Sequence, residues 1–234
     1  RRRERTRALV QLDLSRNLTQ QLAAPFDEVD WEGHVGHVAT FVPGLSMEEL
    51  IDQPALLTPR QRVLATIKLG ALLARVHGHG LAFGDLNKGA VKLQPLGPNV
   101  VDVGLVDLDS LVMPGQTLPM TLGTPDTSAP ELRDGRQPKT VAAWQAADWT
   151  AFGHVALELL LAKTAACGID EPLAQIQAFL DVPPCLRDTP QGRRVDGAAG
   201  LSAAILPPEV RRAFARLFDR NTAHRDGRGF VKAL

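Results

Sequence analysis

The sequence predicts an α+β fold that is mainly helical, and three observations indicate this class. Apolar residues recur at helical spacing between residues 59 and 78, and the segment from Asp148 to Ala162 is apolar around most of its circumference. Segments of β-type composition are present but short. The chain has 234 residues, of which 44% are hydrophobic, so it can bury one substantial core or two small ones.

The N-terminal part is predicted to contain a helix followed by a strand. Leucines and valines form a rough apolar stripe on the charged segment 1–23, which is typical of a surface helix. The β-type segment from His34 to Val42 predicts a strand, and Pro43 and Gly44 end it.

Two helix starts follow, because Ser46 with Glu49 and Thr58 with Gln61 have the spacing of a capping box. The second start opens the long amphipathic helix, which is predicted to end at Gly78.

The middle of the chain predicts a hairpin and then a buried helix. Residues 91–93 and 100–106 are joined by the turn residues 97–99, so Asp107 is expected at the exit of the second strand. Asp148 opens the apolar helix in this interpretation, and the simplest role for it is that of an N-cap. The last helical region is predicted from Pro207 to near Leu234.

Composition excludes several functional classes. Lys plus Arg and Asp plus Glu are balanced at 26 each, so net charge draws the chain neither to nucleic acid nor to a membrane surface. Tyr is absent and other aromatic residues are few, which argues against a base-stacking surface. About 18 consecutive apolar residues, as a membrane span requires, occur nowhere, so a cytoplasmic location is expected. Cys167 and Cys185 lack the paired spacing of a structural zinc site.

Two carboxylates carry the strongest chemical signal. Phosphoryl transfer needs one carboxylate near the attacking hydroxyl and another on Mg²⁺. Asp85 lies in a loop after a long predicted helix, and Asp107 follows it by 22 positions at the end of a short strand. Taken singly, either residue is as well explained as a turn former or a solvated strand end.

Five motifs in order resemble those of a known family. They are Gly84 to Ala90 (GDLNKGA), Val106 to Ser110 (VDLDS), Gly123 to Glu131 (GTPDTSAPE), Asp148 to Gly153 (DWTAFG) and Arg225. In this order they resemble the catalytic loop, metal motif, end of the activation segment, αF helix and conserved Arg of bacterial serine/threonine protein kinases. The resemblance covers the chain from an αC-like helix to the end of the C-lobe.

The resemblance implies two regions, residues 1–44 as an αC-like helix and N-lobe remnant with the hinge, and residues 45–234 as a kinase-like C-lobe. It implies ATP and Mg²⁺ as ligands and a protein as substrate or partner. Nucleic acid and membranes are not expected as partners. The roles it implies are Asp85 as catalytic base, Asp107 as Mg²⁺ ligand, Thr40, Phe41, Val42 and Asn87 as nucleotide-binding residues, Asp148 as the anchor of the catalytic loop, and Glu131 with Arg225 as a structural ion pair.

The departures from the family pattern are as informative as the matches. Five positions after Asp85 the family has a metal-binding Asn, and this chain has Ala90, which cannot coordinate a cation. Neither a G-x-G-x-x-G loop nor a V-A-I-K type Lys is present in the sequence, so a reduced or missing N-lobe is expected. Asn87 could supply an amide oxygen in place of the lost ligand.

Three functions remain open from the sequence. The first is a pseudokinase that binds or regulates a protein partner, as Ala90 and the absent ATP motifs suggest. The second is an active serine/threonine kinase, either seen as a fragment or working with one metal ion, because both carboxylates are retained. The third is a non-catalytic helical interaction domain, which would be supported if Asp85 and Asp107 lay far apart.

Two further groups of residues carry weaker signals. His34, His37, His77 and His79 have no carboxylate or Cys at ligand spacing, so they are expected to be ordinary surface or core residues. The hydroxyl residues Thr117, Thr121, Thr124, Thr127 and Ser128 fall in the region that resembles an activation segment, where phosphorylation can order a loop.

Overall fold

The computed structural model describes residues 2–115, 124, 127–133, 138–162, 206–219, 221–225 and 227–234. Within these residues the chain has a mixed α+β fold with two small antiparallel sheets, as the sequence predicts. Cys167, Cys185, Thr117, Thr121 and the predicted turns of residues 181–200 lie outside the described part. Among the described helices, none combines the length and apolar character needed to cross a membrane.

Helices predominate over strands in the described part of the chain. The described helices are α1 (Arg2–Gln11), α2 (Leu14–Asn17), α3 (Met47–Asp52), α4 (Pro59–Gly78), α5 (Pro130–Arg133), α6 (Val141–Leu161), α7 (Pro208–Leu217) and α8 (Gly227–Ala233). The described strands are β1 (Pro25–Trp31), β2 (His34–Ala39), β3 (Leu45–Ser46), β4 (Val91–Gly97) and β5 (Val100–Leu105). Short 3₁₀ turns occupy residues 54–56, 88–90, 108–110 and 222–224.

Both sheets are small and antiparallel. β1 and β2 form a two-stranded hairpin, whereas β3, β4 and β5 form a three-stranded sheet in that order. The predicted hairpin that precedes Asp107 is confirmed as β4 and β5, with Leu93 opposite Val103. β5 lies against α4, and the side chains of Leu93, Val103 and Leu105 are buried in the main core.

Capping boxes begin α3 and α4, as predicted. In α4 the backbone N–H of Gln61 donates to the Thr58 hydroxyl at 3.2 Å, and the Thr58 N–H donates to the Gln61 side chain at 2.8 Å. Ser46 and Glu49 make the same reciprocal pair at α3. These bonds satisfy N–H groups that a helix start otherwise leaves unpaired, which explains why both starts could be read from the sequence.

The apolar helix begins earlier than predicted. α6 starts at Val141, and its N-cap is Thr140, whose hydroxyl accepts a hydrogen bond from Ala143 N–H at 3.2 Å. The interpretation of Asp148 as an N-cap is therefore wrong, because Asp148 lies in the second turn of the helix and its carboxylate has distant partners. The prediction that this helix is buried is confirmed, since α6 is buried around most of its circumference.

The predicted helix over residues 1–23 is interrupted. Asp13 adopts a left-handed backbone conformation with φ 43°, which separates α1 from α2. Residues 21–23 then run alongside β5, where Leu105 N–H donates to Gln21 and Ala23 N–H donates to Leu105, both at 2.8 Å. Burial of Leu22 against the sheet outweighs local helix propensity in this segment.

The strand predicted from His34 to Val42 ends at Ala39, and its hairpin partner β1 was not predicted. β1 contains Pro25 and several acidic residues, which are poor strand formers, so its composition did not predict a strand. The turn between the strands carried one sequence signal, Gly33, because a tight hairpin turn requires positive φ, which Glu32 and Gly33 both adopt in the structure.

The last helical region, predicted from Pro207 to near Leu234, contains the two helices α7 and α8. Both pack against the central helices through aromatic side chains arranged edge to face. The Phe152 ring lies 5.5 Å from Trp149 and 5.4 Å from Phe230, and Phe230 lies 4.5 Å from Phe214. Edge-to-face geometry is favourable for aromatic pairs. The rings join α6 to α8, and α8 in turn to α7.

Candidate functional site

The loop that carries Asp85, residues 81–90 (the Asp85 loop), lies directly against residues 106–112, the segment that carries Asp107 (the Asp107 segment). Ala82 and Val112 exchange two backbone hydrogen bonds of 3.1 and 2.7 Å. Farther along, Val106 N–H donates to the Ala90 carbonyl at 2.8 Å. These bonds at both ends hold the two segments side by side.

Gly84 makes the close approach of these segments sterically feasible. Its φ is +89°, and a Cβ atom at this position would lie 2.3 Å from the Ser110 carbonyl oxygen. A side chain would therefore suffer both backbone strain and collision with main-chain atoms. The Gly is required by packing between the Asp85 loop and the Asp107 segment.

Asp148 anchors the Asp85 loop from the interior. Its carboxylate accepts hydrogen bonds from the backbone N–H groups of Phe83 at 2.6 Å and Gly84 at 2.8 Å. The His77 Nε2 atom lies 2.9 Å from the same carboxylate, and the His77 ring packs edge to face on Trp149. Asp148 is 2% exposed, so these contacts provide partners for a buried group that would otherwise be costly.

Asp85 is half-buried and is contacted by the segment that precedes α5. One carboxylate oxygen, Oδ1, accepts hydrogen bonds from the Thr124 backbone N–H at 2.9 Å and from the Thr124 hydroxyl at 3.0 Å. The Thr124 carbonyl in turn accepts hydrogen bonds from the hydroxyls of Thr127 and Ser128. The structure thus brings Thr124 of the GTP motif onto Asp85.

Asn87 has a structural use in the loop. Its carboxamide oxygen accepts hydrogen bonds from Gly89 N–H at 2.8 Å and Ala90 N–H at 3.2 Å, and its Nδ2 donates to the Asp85 carbonyl at 3.2 Å. A carboxamide oxygen has two lone pairs, and both are used in this cap. The geometry therefore gives no support to Asn87 as a cofactor ligand.

Ala90 lies at the end of this turn and is 1% exposed. Its methyl group packs in the core beneath the Asp85 loop and presents no ligand atom. Position 90 therefore supplies no ligand for a cation.

Asp107 is exposed and lies two residues after the end of β5, with a left-handed backbone conformation of φ 61° and ψ 56°. Partial burial raises the pKa of its carboxyl, and the negative charges of Asp109 and Asp85 raise that pKa further. Because Asp85 acts electrostatically on Asp107, the two predicted carboxylates belong to one site. A cation beside Asp107 would relieve this repulsion.

The Arg5 guanidinium attaches α1 to the Asp107 segment. It donates to the Asp109 carbonyl through Nε at 2.8 Å and Nη2 at 2.6 Å, and to the Leu111 carbonyl at 2.7 Å. Burial lowers the pKa of Arg5, which the Asp109 charge partly offsets. These contacts connect the N-terminal helix to the carboxylate site.

A complete metal centre is not formed by acidic, His and Cys side chains in the described ranges, where no three or more of them converge on one point. The side chain that could hold a cation is Asp107, with Asp85 across from it. This donor set fits one divalent cation with additional water or substrate ligands, and it does not fit a two-metal centre.

The predicted nucleotide-binding residues of the hinge lie in the loop between β2 and β3. Thr40 N–H donates to the Ala24 carbonyl at 3.1 Å, Phe41 is 85% exposed, and Val42 is buried. The Val42 side chain packs over Gly104 of β5, three residues before Asp107. The structure therefore places Val42 against β5, ahead of the Asp107 segment, while Phe41 faces solvent.

Glu131 and Arg225 form a bidentate ion pair between α5 and the residues before α8. Arg225 Nη1 and Nη2 donate to the two Glu131 oxygens, the second bond measuring 3.1 Å, and Arg225 Nε donates to the Asp219 carbonyl at 2.6 Å. Arg225 is buried and Glu131 is partly exposed. The pair links the segment after Thr124 to the C-terminal helices.

Three residues of the site were not identified from the sequence: His77, Thr124 as a partner of Asp85, and Arg5. His77 lies four residues after the buried Leu73, so its position on the buried face of α4 was a usable signal. Neither Arg5 nor Thr124 carried a comparable signal, because their partners are separated from them by 104 and 39 positions.

Comparison of the chain with models of known protein families and with curated proteins finds no match.

Proposed function

We propose that this chain is a protein-kinase-like protein whose nucleotide and metal site is degraded, and that it acts by binding or regulating a protein partner. The observation that carries the proposal is the pair Asn87 and Ala90. The Asn87 amide oxygen accepts two hydrogen bonds within the loop, and the Ala90 side chain has no ligand atom.

The kinase-like part of the proposal is supported by the arrangement of the five motifs. The Asp85 loop rests on Asp148, the Asp107 segment lies beside that loop, and the Glu131–Arg225 pair closes the segment that contains Thr124. Each contact joins residues far apart in sequence in the roles that the family resemblance implies. Residues 45–234 correspond to a kinase-like C-lobe in this proposal.

The proposal that the metal site is degraded follows from the ligands that phosphoryl transfer needs. Enzymes of this class hold two Mg²⁺ ions with an Asp and an Asn and place both between the phosphates of ATP. Asp107 supplies the first ligand, but nothing on the Asp85 loop replaces the second. The ligand set therefore does not fit a two-metal ATP complex, and no phosphoryl-transfer step is assigned to this chain.

An active serine/threonine kinase is the alternative that a specific observation favours. Asp85 is held by Thr124 and electrostatically coupled to Asp107, so a base and one Mg²⁺ ligand are retained in one site. A single-metal enzyme would use these two residues. A large separation of the two carboxylates would have favoured a purely structural helical domain, whereas the segments that carry them lie side by side.

A thermal-shift experiment separates these functions, because a ligand that binds only the native state raises the unfolding midpoint. The natural chain and the Asp107→Ala variant are each heated with millimolar ATP, with and without Mg²⁺ or Mn²⁺. Asp52→Ala removes an exposed carboxylate outside the site and serves as the matched control. We expect no metal-dependent shift in any of the three proteins.

A metal-dependent shift that Asp107→Ala abolishes and Asp52→Ala retains would overturn the proposal in favour of the enzyme. Ala90→Asn provides the complementary test. If loss of this ligand is what disables the site, the variant should gain a metal-dependent response to ATP that the natural chain lacks.

A further inference from the structure

The N-terminal third of the chain contains a long acidic segment. Residues 17–59 include seven Asp and Glu residues and no Lys or Arg, although the complete chain has equal numbers of acidic and basic residues. The β1–β2 hairpin and α3 both lie in this segment. A balanced protein thus has one strongly acidic region.

One face of the hairpin is already covered by α1. Glu28 forms an ion pair with Arg7 at 2.9 Å and lies 3.6 Å from Arg3 Nε, and Asp30 pairs with Arg3. Alternate residues of a strand point to opposite faces, so Glu28 and Asp30 define the face toward α1. The charges on that face are compensated within the protein.

The opposite face carries apolar side chains that remain exposed. Trp31 is paired with His34, Val29 with Gly36 and Asp27 with Val38, so these side chains share one face, which we name the outer hairpin face. Trp31 is 70% exposed, Val38 40% and Val29 39%. Large apolar side chains grouped on a sheet face are typical of protein interaction sites.

The outer hairpin face has an acidic border. Asp27 lies on it, and Glu32 lies in the turn beside Trp31; both side chains are exposed. In the part of the chain that the structure describes, neither carboxylate forms an ion pair. The exposed Trp31 ring on the same face is also suited to a cation–π contact with Arg or Lys.

We propose that the outer hairpin face binds a segment of a partner protein that combines aliphatic side chains with Lys or Arg. Charge complementarity selects this occupant, because uncompensated carboxylates flank the exposed Val29, Trp31 and Val38. A second copy of the chain is disfavoured, since a two-fold contact would oppose two acidic faces. The inference rests on the proposed function only in that a protein partner is the expected ligand.

Trp31 provides the experimental reporter. The other two tryptophans, Trp144 and Trp149, are 4% and 7% exposed, so quenching of the complete chain by acrylamide reports mainly on Trp31. The probes are two synthetic peptides, (Lys-Val)₄ and (Glu-Val)₄, which have the same aliphatic content and opposite charge. We expect the Lys peptide to protect Trp31 from quenching and the Glu peptide to have no effect.

Two double variants test the two parts of the surface. Asp27→Asn with Glu32→Gln should weaken the Lys peptide about tenfold, and Val29→Thr with Val38→Thr should weaken it several-fold. Glu48→Gln with Asp52→Asn removes the same charge from α3, outside the outer hairpin face, and should leave the affinity within about twofold. Circular dichroism of each variant confirms that the fold is retained.

Absence of protection, or equal weakening by the α3 control, would overturn the inference. Concentration-dependent dimerisation that Trp31→Ser abolishes would assign the face to a second copy and also overturn it. The outcome is distinguishable from failure of the proposed function, because ATP and Mg²⁺ binding is measured at Asp107 and not at Trp31. The test of nucleotide binding and the test of peptide binding therefore have independent outcomes.

Discussion

The Asp148 carboxylate accepts a hydrogen bond of 2.8 Å from the backbone N–H of Gly84, across 64 positions of sequence. The same carboxylate accepts the N–H of Phe83, so two consecutive peptide groups of the Asp85 loop end on one buried side chain. The position of Asp85 thus depends on a helix that follows it far along the chain. This relationship makes α6 part of the candidate site.

Asp148→Ala should lower the free energy of unfolding by about 3 kcal/mol, because it leaves two buried N–H groups without an acceptor at about 1–3 kcal/mol each. Urea denaturation at neutral pH measures the change. The exposed Asp52→Ala is the matched control, and its effect should remain within about 0.5 kcal/mol. Equal effects of the two substitutions would contradict the anchoring role.

Gly84→Ala should be more destabilising than Gly80→Ala, although both glycines have positive φ, +89° and +72°. A methyl group at Gly80 meets nothing within 4 Å, so only the backbone conformation costs energy, about 1 kcal/mol. At Gly84 the methyl group also collides with the Ser110 carbonyl, which adds about 2 kcal/mol. Denaturation of both variants tests this, and similar losses would show that the two segments are not tightly packed.

Glu131→Gln should cost about 3 kcal/mol, because it leaves the buried Arg225 guanidinium without its countercharge. The exposed pair of Glu28 with Arg7 is the comparison, and Glu28→Gln should cost less than about 1 kcal/mol. A double-mutant cycle with Arg225→Met should give a coupling of at least about 1 kcal/mol. A coupling near zero would mean that the contact is incidental to stability.

Asp107→Asn should stabilise the protein at neutral pH. The folded pKa of Asp107 is raised by partial burial and by Asp109 and Asp85, so the folded state binds its proton more tightly than the unfolded chain. The ionised carboxylate therefore destabilises the fold above the folded pKa. Solvent screens this exposed group, so the gain should be about 0.5 kcal/mol.

The pH dependence provides the internal control for Asp107. As the pH falls through the folded pKa and then below the ordinary value of 3.8, Asp107 becomes protonated first in the folded state and then in both states, so the advantage of Asn disappears. Denaturation of both proteins from pH 7 to pH 3 follows this convergence. A stability difference that does not change with pH would assign the effect to backbone conformation instead.

Local features of the fold were predictable from the sequence because their partners are close in the chain. The capping boxes at Ser46 and Thr58 need only residues three positions away. The hairpin before Asp107 requires a short turn between two β-type segments. In contrast, β1 was missed because its acidic composition is unfavourable for a strand, and its stability depends on β2 and on ion pairs to α1.

The sequence by itself determined which side chains were available: Asp85 and Asp107 in ordered motifs, Ala90 where an amide ligand was expected, and the acidic segment that contains the hairpin. Only the tertiary structure decided how they are used. Asn87 caps its own loop, Thr124 binds Asp85, Arg5 holds the Asp107 segment, and Trp31 remains exposed. The physical reason is that hydrogen-bond partners and burial depend on packing between distant segments, which neighbouring residues along the chain do not specify.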